Sequence, residues 1–576
     1  MELVPKHLQR YIVEQDYSRY TAIDHAVWRY VLRQLRAFLA NNAHECYLEG
    51  LERTGILTDR IPSISEVSEK LTQFGWRALP VSGFIPPAAF MELQSLGILP
   101  IASDMRTLEH LEYTPAPDIV HEAAGHAPIL IHPEFSAYLK KYAEVAKHAI
   151  ISSEDLALYE AIRNLSDLKE HPNSTPEEIL AAQTRLDLIS KNMSHVSEAA
   201  ELGRMNWWTA EYGLIGSLEN PKIFGAGLLS SVGESKWCLS EKVKKLPLTV
   251  DCIRQGYDIT EPQPQLFVAS DFTALANVLE EMSRAMAYRT GGLKGIQKAI
   301  LAKTTNTVQL NSGVQVSGQL KVVKSSKDDC PEYLQLIGPC QICWDQKELP
   351  NQGKVQHPEG FGTPIGRWKK DPERCPSEFS DENLAQFGIL KDNMARLEFS
   401  SGIVVEGRVS SLLRKGNRLI LISWSDCKVT TGNEVMFSPD WGSFDMLVGS
   451  EVTSVFGGPA DRTSFGESDA FVAKRVPSKI WTPLESLRIS HYQKIRDLRE
   501  NATELTVREL EHLMSLHFDK FPMDWLFFLE IFELASIRPQ LAELRPAAER
   551  HLEVIGSRSQ KSKTNIEEGA SLAKRK

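Results

Sequence analysis

Apolar positions along the first half of the chain recur at helical spacing. Between Tyr20 and Leu39, residues Ala26, Val27, Tyr30, Val31, Leu35 and Phe38 mark one face of a helix. Residues 63–71 predict a second, with Ser63 at the cap position and Glu66 three residues on. Long helical patterns run over 135–167 and 176–208, and another over 272–288, preceded by Ser270 and Asp271 as candidate caps. The stretch 79–104 is poorer in helix signal and holds Pro80, Pro86, Pro87 and Pro100; it predicts loops and short strands around a site.

The period changes near Thr304. Residues 308–323 alternate, with Val314, Val316, Leu320 and Val322 on one side, and β-branched runs such as Ile403-Val404-Val405 and Leu419-Ile420-Leu421-Ile422 follow. Pro and Gly between 350 and 376 predict long loops. Helical patterning returns over 485–552, and His517-Phe518-Asp519-Lys520-Phe521-Pro522 predicts a turn between helices. The Lys/Ser-rich end, 556–576, reads as a disordered tail. The expected layout is a mainly α part at 1–305, a β-rich module at 306–476, a helical region at 477–555 suited to docking or homo-oligomer contact, and the tail at 556–576.

Composition narrows the class. A chain of 576 residues, 42% hydrophobic and 24% charged, is too long for one ordinary domain and too apolar to be wholly disordered. A net charge of −10 argues against nucleic acid as the main partner. No apolar leader and no long uncharged apolar run is present, so neither secretion nor a membrane span is expected, and the default compartment is cytoplasmic. Eight cysteines are too few for a disulfide framework. Cys340 and Cys343 form a C-x2-C pair, but no second pair exists, so buried reduced thiols are favoured over zinc.

The densest chemistry lies at Asp118-Ile119-Val120-His121-Glu122-Ala123-Ala124-Gly125-His126. The zinc-protease pattern places its histidines four apart. Here they are five apart, roughly 140° on an ideal α-helix. Both can reach one metal only if His121 lies outside or at the very start of the helix, which Pro115 and Pro117 favour. A third donor is offered by Glu211, a lone acid in the aromatic run Trp207-Trp208-Thr209-Ala210-Glu211-Tyr212. Two imidazoles and one carboxylate suit a mononuclear Fe(II) site with open positions. Taken singly, the histidine pair is also compatible with a structural role, Glu211 with an Arg partner, and the tryptophans with a core.

Together these runs resemble the tetrahydropterin-dependent aromatic amino acid hydroxylases. The motifs are Pro117-Asp118-x-x-His121-Glu122-x-x-Gly125-His126-x-Pro128, Trp207-x-x-x-Glu211-x-Gly213-Leu214, and Phe224-Gly225-Ala226-Gly227-Leu228-Leu229-Ser230-Ser231-x-Gly233-Glu234, with Gln15-Asp16-Tyr17-Ser18 upstream. The resemblance covers residues 10–290 and implies the catalytic fold of that family. It implies His121, His126 and Glu211 as iron ligands. Arg106, helped by Thr114, would pair with the substrate carboxylate, Trp207 would line the aromatic pocket, and Ser230 would sit behind the site against substrate or a ligand imidazole. Phe90 would stack on the pterin, Val81, Gly83, Phe84 and Ile85 would grip its edge, and Glu122 would help place pterin and oxygen. The implied reaction is ring hydroxylation of an aromatic amino acid by Fe(II), O2 and a tetrahydropterin such as tetrahydrobiopterin.

Some positions depart from the family. Asn206 replaces the frequent aromatic before Trp207, and Pro87 and Pro100 stand where animal members have pterin-contacting Ser and His. The layout is closer to bacterial members. Ile259 stands where tyrosine hydroxylases carry an acid, which favours phenylalanine or tryptophan, although Asp258 is adjacent. The rival readings are a zinc hydrolase built on His121, His126 and Glu122, and a non-catalytic binding protein.

Overall fold

In this computed structural model the described residues are 4–81, 85–111, 117–170, 174–258, 261–466, 481–501 and 504–574. The helix Ala22–Asn42 is the spine. It opens on a capping box, in which Thr21 Oγ1 accepts from the Asp24 amide and the Asp24 carboxylate accepts from the Thr21 amide. Its buried residues run all the way round, from Ala26 and Val27 to Trp28, Tyr30 and Leu32. A helix buried on every side needs partners on every side. One set comes from residues before 290, the other from the C-terminal helices, and both share one hydrophobic core with it.

Two small sheets frame the site. Strands Arg77–Val81 and Ile98–Ala102 run parallel, joined by helix Pro87–Ser95. A four-stranded sheet runs in the order Pro221–Ile223, Leu214–Gly216, Gln265–Ala269, Lys244–Pro247. The strand-rich part follows. Its first strand, Thr305–Leu310, pairs antiparallel with its last, Val452–Gly457, and with Val314–Ser325, which pairs with Pro331–Trp344. A second sheet is built on the long hairpin Ile403–Lys415 and Arg418–Thr431. The first sheet packs its core against helix Gly292–Ala302, so Ile296 and Ala299 are buried with Val308, Val316 and Val455.

Several expectations need correction. The patterns over 135–167 and 176–208 are each two helices, Pro133–Ala146 with Ser153–Glu170, and Pro176–Lys191 with Glu198–Asn206. Ser152 and Ser197 restart the second members by accepting from the amides of Asp155 and Ala200, which competes with continuing the first. The Ser63–Glu66 box is not made: Ser63 pairs with Ser65, and Glu66 with Arg60. Val322 leaves the alternation because a register shift between Leu320 and Val322 turns it outward. The loops of 350–376 include a strand, Gly360–Pro364. His517 lies within helix Val507–Lys520, and the chain turns only afterwards. Cys340 and Cys343 are both buried but in different clusters, on opposite faces of one strand, so they do not form a joint metal site.

The largest correction is the C-terminus. Residues 560–574 are not a disordered tail but a helix, Gln560–Lys574, continuing the set Pro483–Arg499, Val507–Lys520, Trp525–Ile537 and Arg545–Arg558. Its composition is polar, but Ile566 and Gly569 face inward, and a Cβ on Gly569 would come within 2.5 Å of Leu529 and 3.2 Å of Tyr30. Tyr30 Oη donates to the Asn565 carbonyl at 3.0 Å, and Lys236 meets Glu568 at 2.5 Å. The apolar faces of these helices are covered within the chain by Ala22–Asn42 and by one another.

A buried ionic network sets this docking. Arg29 grips both oxygens of Glu530, with Nε at 3.0 Å from each and Nη2 at 2.6 Å from Oε2. Arg499 adds a contact at 3.1 Å to Glu530 and one at 3.4 Å to Glu533, which also pairs with Arg33. Burial alone would raise the Glu530 carboxyl, but Arg29 and Arg499 outweigh it and hold it at about 2. The folded value is below the ordinary carboxylate value, so the network stabilises above about pH 4.3 and is lost as pH falls toward 2, with about 3 kcal/mol at stake. Glu530→Ala should cost about 3–5 kcal/mol in chemical denaturation, because two buried guanidiniums lose their partner. Glu530→Gln should flatten the acid limb of stability between about pH 4 and 2, read by tryptophan fluorescence. An unchanged acid limb would exclude Glu530 as its source.

Candidate metal centre

His121 and His126 are brought together by a π-helical turn, Val120–His126. In π winding the bonded partner is five residues on rather than four, so side chains five apart lie over one another. His121 is the second residue of this turn, so of the two expected placements, outside the helix or at its very start, the structure has the second. The two rings are 5.0 Å apart and nearly perpendicular. The third residue comes from a second π turn, Trp207–Glu211, closed by the Tyr212 amide donating five residues back to the Trp207 carbonyl at 2.8 Å.

Local residues make these turns tolerable. Asp118 Oδ1 accepts from the His121 amide at 3.0 Å, capping the first turn. Tyr47 Oη donates to the Ala124 carbonyl at 3.1 Å, and Thr209 Oγ1 to the Met205 carbonyl at 2.6 Å, so both turns gain side-chain partners. Gly125 permits a close approach: a Cβ there would lie 2.6 Å from the Ala226 carbonyl oxygen. That approach seats the short helix Ala226–Leu229, and Ser230 just after it, behind His121.

The donor geometry fits a metal. His121 Nε2 is 3.3 Å from Glu211 Oε2, and His126 Nε2 is 3.3 Å from Glu211 Oε1. The three ligand atoms lie within 4.8 Å of one another, close enough to converge on one ion with small adjustments. Among the described residues this is the one such group of His, Cys, Asp or Glu. Ser230 fixes the protonation of His121. Its hydroxyl hydrogen goes to the Ala226 carbonyl at 2.8 Å, so the 3.1 Å contact with His121 Nδ1 has the imidazole N–H donating. Nε2 is then the bare, metal-facing nitrogen. Burial would raise the Glu211 carboxyl, but the two imidazoles hold it far below the usual range.

Glu122 is buried beside His126, at 4.0 Å from Nε2. Its Oε2 has no hydrogen-bond partner among the described residues, and burial pushes its carboxyl up to about 8. An orphaned buried oxygen at this place suits a donor supplied by a bound ligand.

Arg106 is buried and locked. Nε and Nη2 each donate to Asp118 at 2.8 Å, and Nη1 donates to the Ser230 carbonyl at 3.1 Å. Three of its five N–H groups are thus used, leaving one on each terminal nitrogen for a carboxylate. Asp118 carries no assigned role in the sequence reading, yet it joins Arg106 to the His121 turn. Its spacing three residues before His121 is the capping signal that could have identified it.

Trp207 stacks flat on Tyr257 (4.2 Å, 8°) and on Tyr212 (4.4 Å, 20°), so the three rings form one stack. Tyr212 Oη also donates to Glu234 at 2.8 Å. Asn206 points its amide at Glu211 Oε1, 3.4 Å away. Val81, Ile85 and Phe90 gather in one small apolar cluster with Leu8, Tyr11 and Leu93. This cluster connects to the metal turn, because the Ser103 amide bonds the Val81 carbonyl at 3.2 Å and the Ile119 amide bonds the Asp104 carbonyl at 2.8 Å. Gly83, Phe84, Thr114 and Ile259 lie outside the described residues.

The model of the biopterin-dependent aromatic amino acid hydroxylases matches residues 10–153 and 182–291. The residues left between the two matches, 154–181, lie in the helices Ser153–Glu170 and Pro176–Lys191 and the link between them. The chain is similar to a phenylalanine-4-hydroxylase of Mesorhizobium japonicum, 30% identical over 274 residues, which is 47% of this chain and 83% of that protein. It is also similar to the Chromobacterium violaceum phenylalanine-4-hydroxylase, 26% identical over 279 residues, or 46% of this chain and 79% of that one. The crystal structure of the Chromobacterium violaceum phenylalanine hydroxylase with iron(III) and 7,8-dihydrobiopterin covers 48% of this chain and 85% of its own, at 27% identity and a TM-score of 0.38. The chain belongs to the biopterin-dependent aromatic amino acid hydroxylase family.

Proposed function

We propose that this protein is a cytoplasmic monooxygenase that converts L-phenylalanine to L-tyrosine with Fe(II), O2 and a tetrahydropterin. The observation that carries the reading is the His121–His126–Glu211 donor set, with the His121 tautomer fixed by Ser230. Phenylalanine is favoured because the similar proteins are named phenylalanine-4-hydroxylases, and one solved relative holds iron and phenylalanine. The apolar Ile259 agrees with that choice over tyrosine. The hydroxylase unit comprises residues 1–305 together with the C-terminal helices, and 306–476 form a second unit.

Iron and tetrahydropterin, when bound, supply the electrons and the oxygen activation. The protein's residues position and protect. His121, His126 and Glu211 would hold the ion. Arg106 offers its two remaining N–H groups to the amino acid carboxylate, and Asp118 keeps the guanidinium plane fixed. Trp207, Tyr212 and Tyr257 form the wall for the substrate ring. Val81, Gly83, Phe84, Ile85 and Phe90 receive the pterin, and Glu122 offers its free oxygen to a ring N–H or a bridging water. Thr114 assists Arg106. Burial of Arg106, Glu122 and His126 limits the access of bulk water to the site.

An activity panel with phenylalanine, tyrosine and tryptophan, each with tetrahydrobiopterin and iron-loaded protein, tests the reading. Phenylalanine-dependent pterin oxidation should exceed that with the other two; no turnover with any of them would refute the enzyme. Arg106→Ala should raise the phenylalanine KM at least about tenfold while iron content is kept. His121→Ala and Glu211→Ala should lose iron by elemental analysis while circular dichroism stays native. Ser230→Ala should weaken Fe(II) binding about 10–100-fold by releasing the His121 tautomer. Zinc in place of iron, with peptide hydrolysis, would establish the hydrolase instead.

A further inference from the structure

The helix Pro87–Ser95 carries Phe90, the residue assigned to stack on the pterin, and follows closely in sequence on the residues assigned to grip its edge. It has nine residues, too few to hold its own position without tertiary contacts. Ala89 and Leu93 sink into the small apolar cluster. Its one charged residue, Glu92, is held at both oxygens. His7 Nε2 lies 2.9 Å from Oε1, and Arg462 Nη1 lies 3.0 Å from Oε2.

The second of these partners belongs to the strand-rich part. Arg462 opens the short helix Arg462–Phe465, whose cap, Asp461, is fastened to that part. Asp461 Oδ2 accepts from the Glu348 amide at 3.1 Å, and the Asp461 carbonyl accepts from Gln341 Nε2 at 3.2 Å. The neighbouring Ala460 amide bonds Ser317 Oγ at 2.9 Å. Arg462 Nη2 also donates to the Lys147 carbonyl at 2.8 Å, just past the end of helix Pro133–Ala146. Thr463 Oγ1 meets His7 Nδ1 at 3.1 Å, so the same segment braces the second Glu92 partner. Burial alone would raise the Glu92 carboxyl, but His7 and Arg462 outweigh it and hold it below the usual value.

We infer that Arg462, with Thr463 and His7, is a positioning group for the pterin site: through Glu92 the strand-rich part fixes the helix that carries Phe90. This rests on the functional reading above. It assigns residues beyond the family-matched segments a part in cofactor binding.

The test uses the full chain and 7,8-dihydrobiopterin, an oxidised pterin, with binding read by calorimetry. Arg462→Ala should weaken dihydrobiopterin binding about tenfold, and Arg462→Lys should restore most of it. In turnover, the tetrahydropterin KM should rise by a similar factor, while kcat and the phenylalanine KM stay within about twofold. A role confined to stability would not separate the two substrates in this way. Thr463→Val, which removes only the brace on His7, should give a smaller loss of about two- to fourfold and covers the case in which Arg462→Ala does not fold. Pterin affinity unchanged in folded Arg462→Ala, or in Thr463→Val where Arg462→Ala does not fold, overturns the inference. Equal losses for pterin and phenylalanine overturn it too. A wild-type chain that binds no dihydrobiopterin instead overturns the functional reading, and the inference with it.

Discussion

The centre depends on one backbone constraint, that two histidines five residues apart must face one point. An α-helix would spread them roughly 140° apart, and π winding brings them into line. Such winding is rare because it loosens the regular bond ladder, so the surroundings must supply partners. Here Asp118 caps the turn, Tyr47 satisfies a carbonyl, and Gly125 lets a neighbouring backbone come close enough to seat Ser230. Remove the close approach and His121 loses the acceptor that fixes its tautomer. The same Asp118 binds Arg106, so the His121 turn and the candidate carboxylate receptor share a single side chain.

The C-terminal helices show a different use of polar groups. Arg29, Arg33 and Arg499 meet Glu530 and Glu533 within a largely apolar interface. Burying that much charge is not an efficient source of stability, because desolvation offsets the attraction. What the network does supply is geometry. A helix as apolar as Trp525–Ile537 could pack in several rotations, but only one puts Glu530 between Arg29 and Arg499. The spine Ala22–Asn42 therefore has an apolar contact with the N-terminal part and a keyed contact with the C-terminal helices.

The grouping of His121, His126 and Glu211 is legible in the sequence because the chemistry it suggests is local. His121, His126 and Glu211 sit in short motifs, and few residue types can do their work. The geometry was not legible, since a five-residue spacing reads as a broken helix until π winding is seen. The Gln560–Lys574 helix was missed for a related reason. Its Lys- and Ser-rich composition signals disorder, and only contacts with Tyr30 and Leu529, far away in the chain, reveal its inward face. Breaks in the long helical patterns came from Ser152 and Ser197, whose capping competes with a periodicity that continues past them. Pairs such as Glu92 with Arg462 carry no sequence signal, because each is an ordinary charged residue until the fold joins them.

The strand-rich part is attached in two physically distinct ways. Helix Gly292–Ala302 shares its apolar core, a broad contact that resists separation but tolerates small slides. The second attachment is directional. Gly457, at the end of the last strand, donates its amide to the His148 carbonyl at 3.0 Å, and a Cβ there would lie 2.0 Å from the Ala149 carbonyl oxygen. Arg462, a few residues on, reaches both the Lys147 carbonyl and Glu92. The joint thus combines a non-directional core with a short run of directional bonds at its edge. That edge lies against the helix carrying Phe90, whereas His121 is braced by Asp118 and Ser230, and Glu211 is met by Asn206.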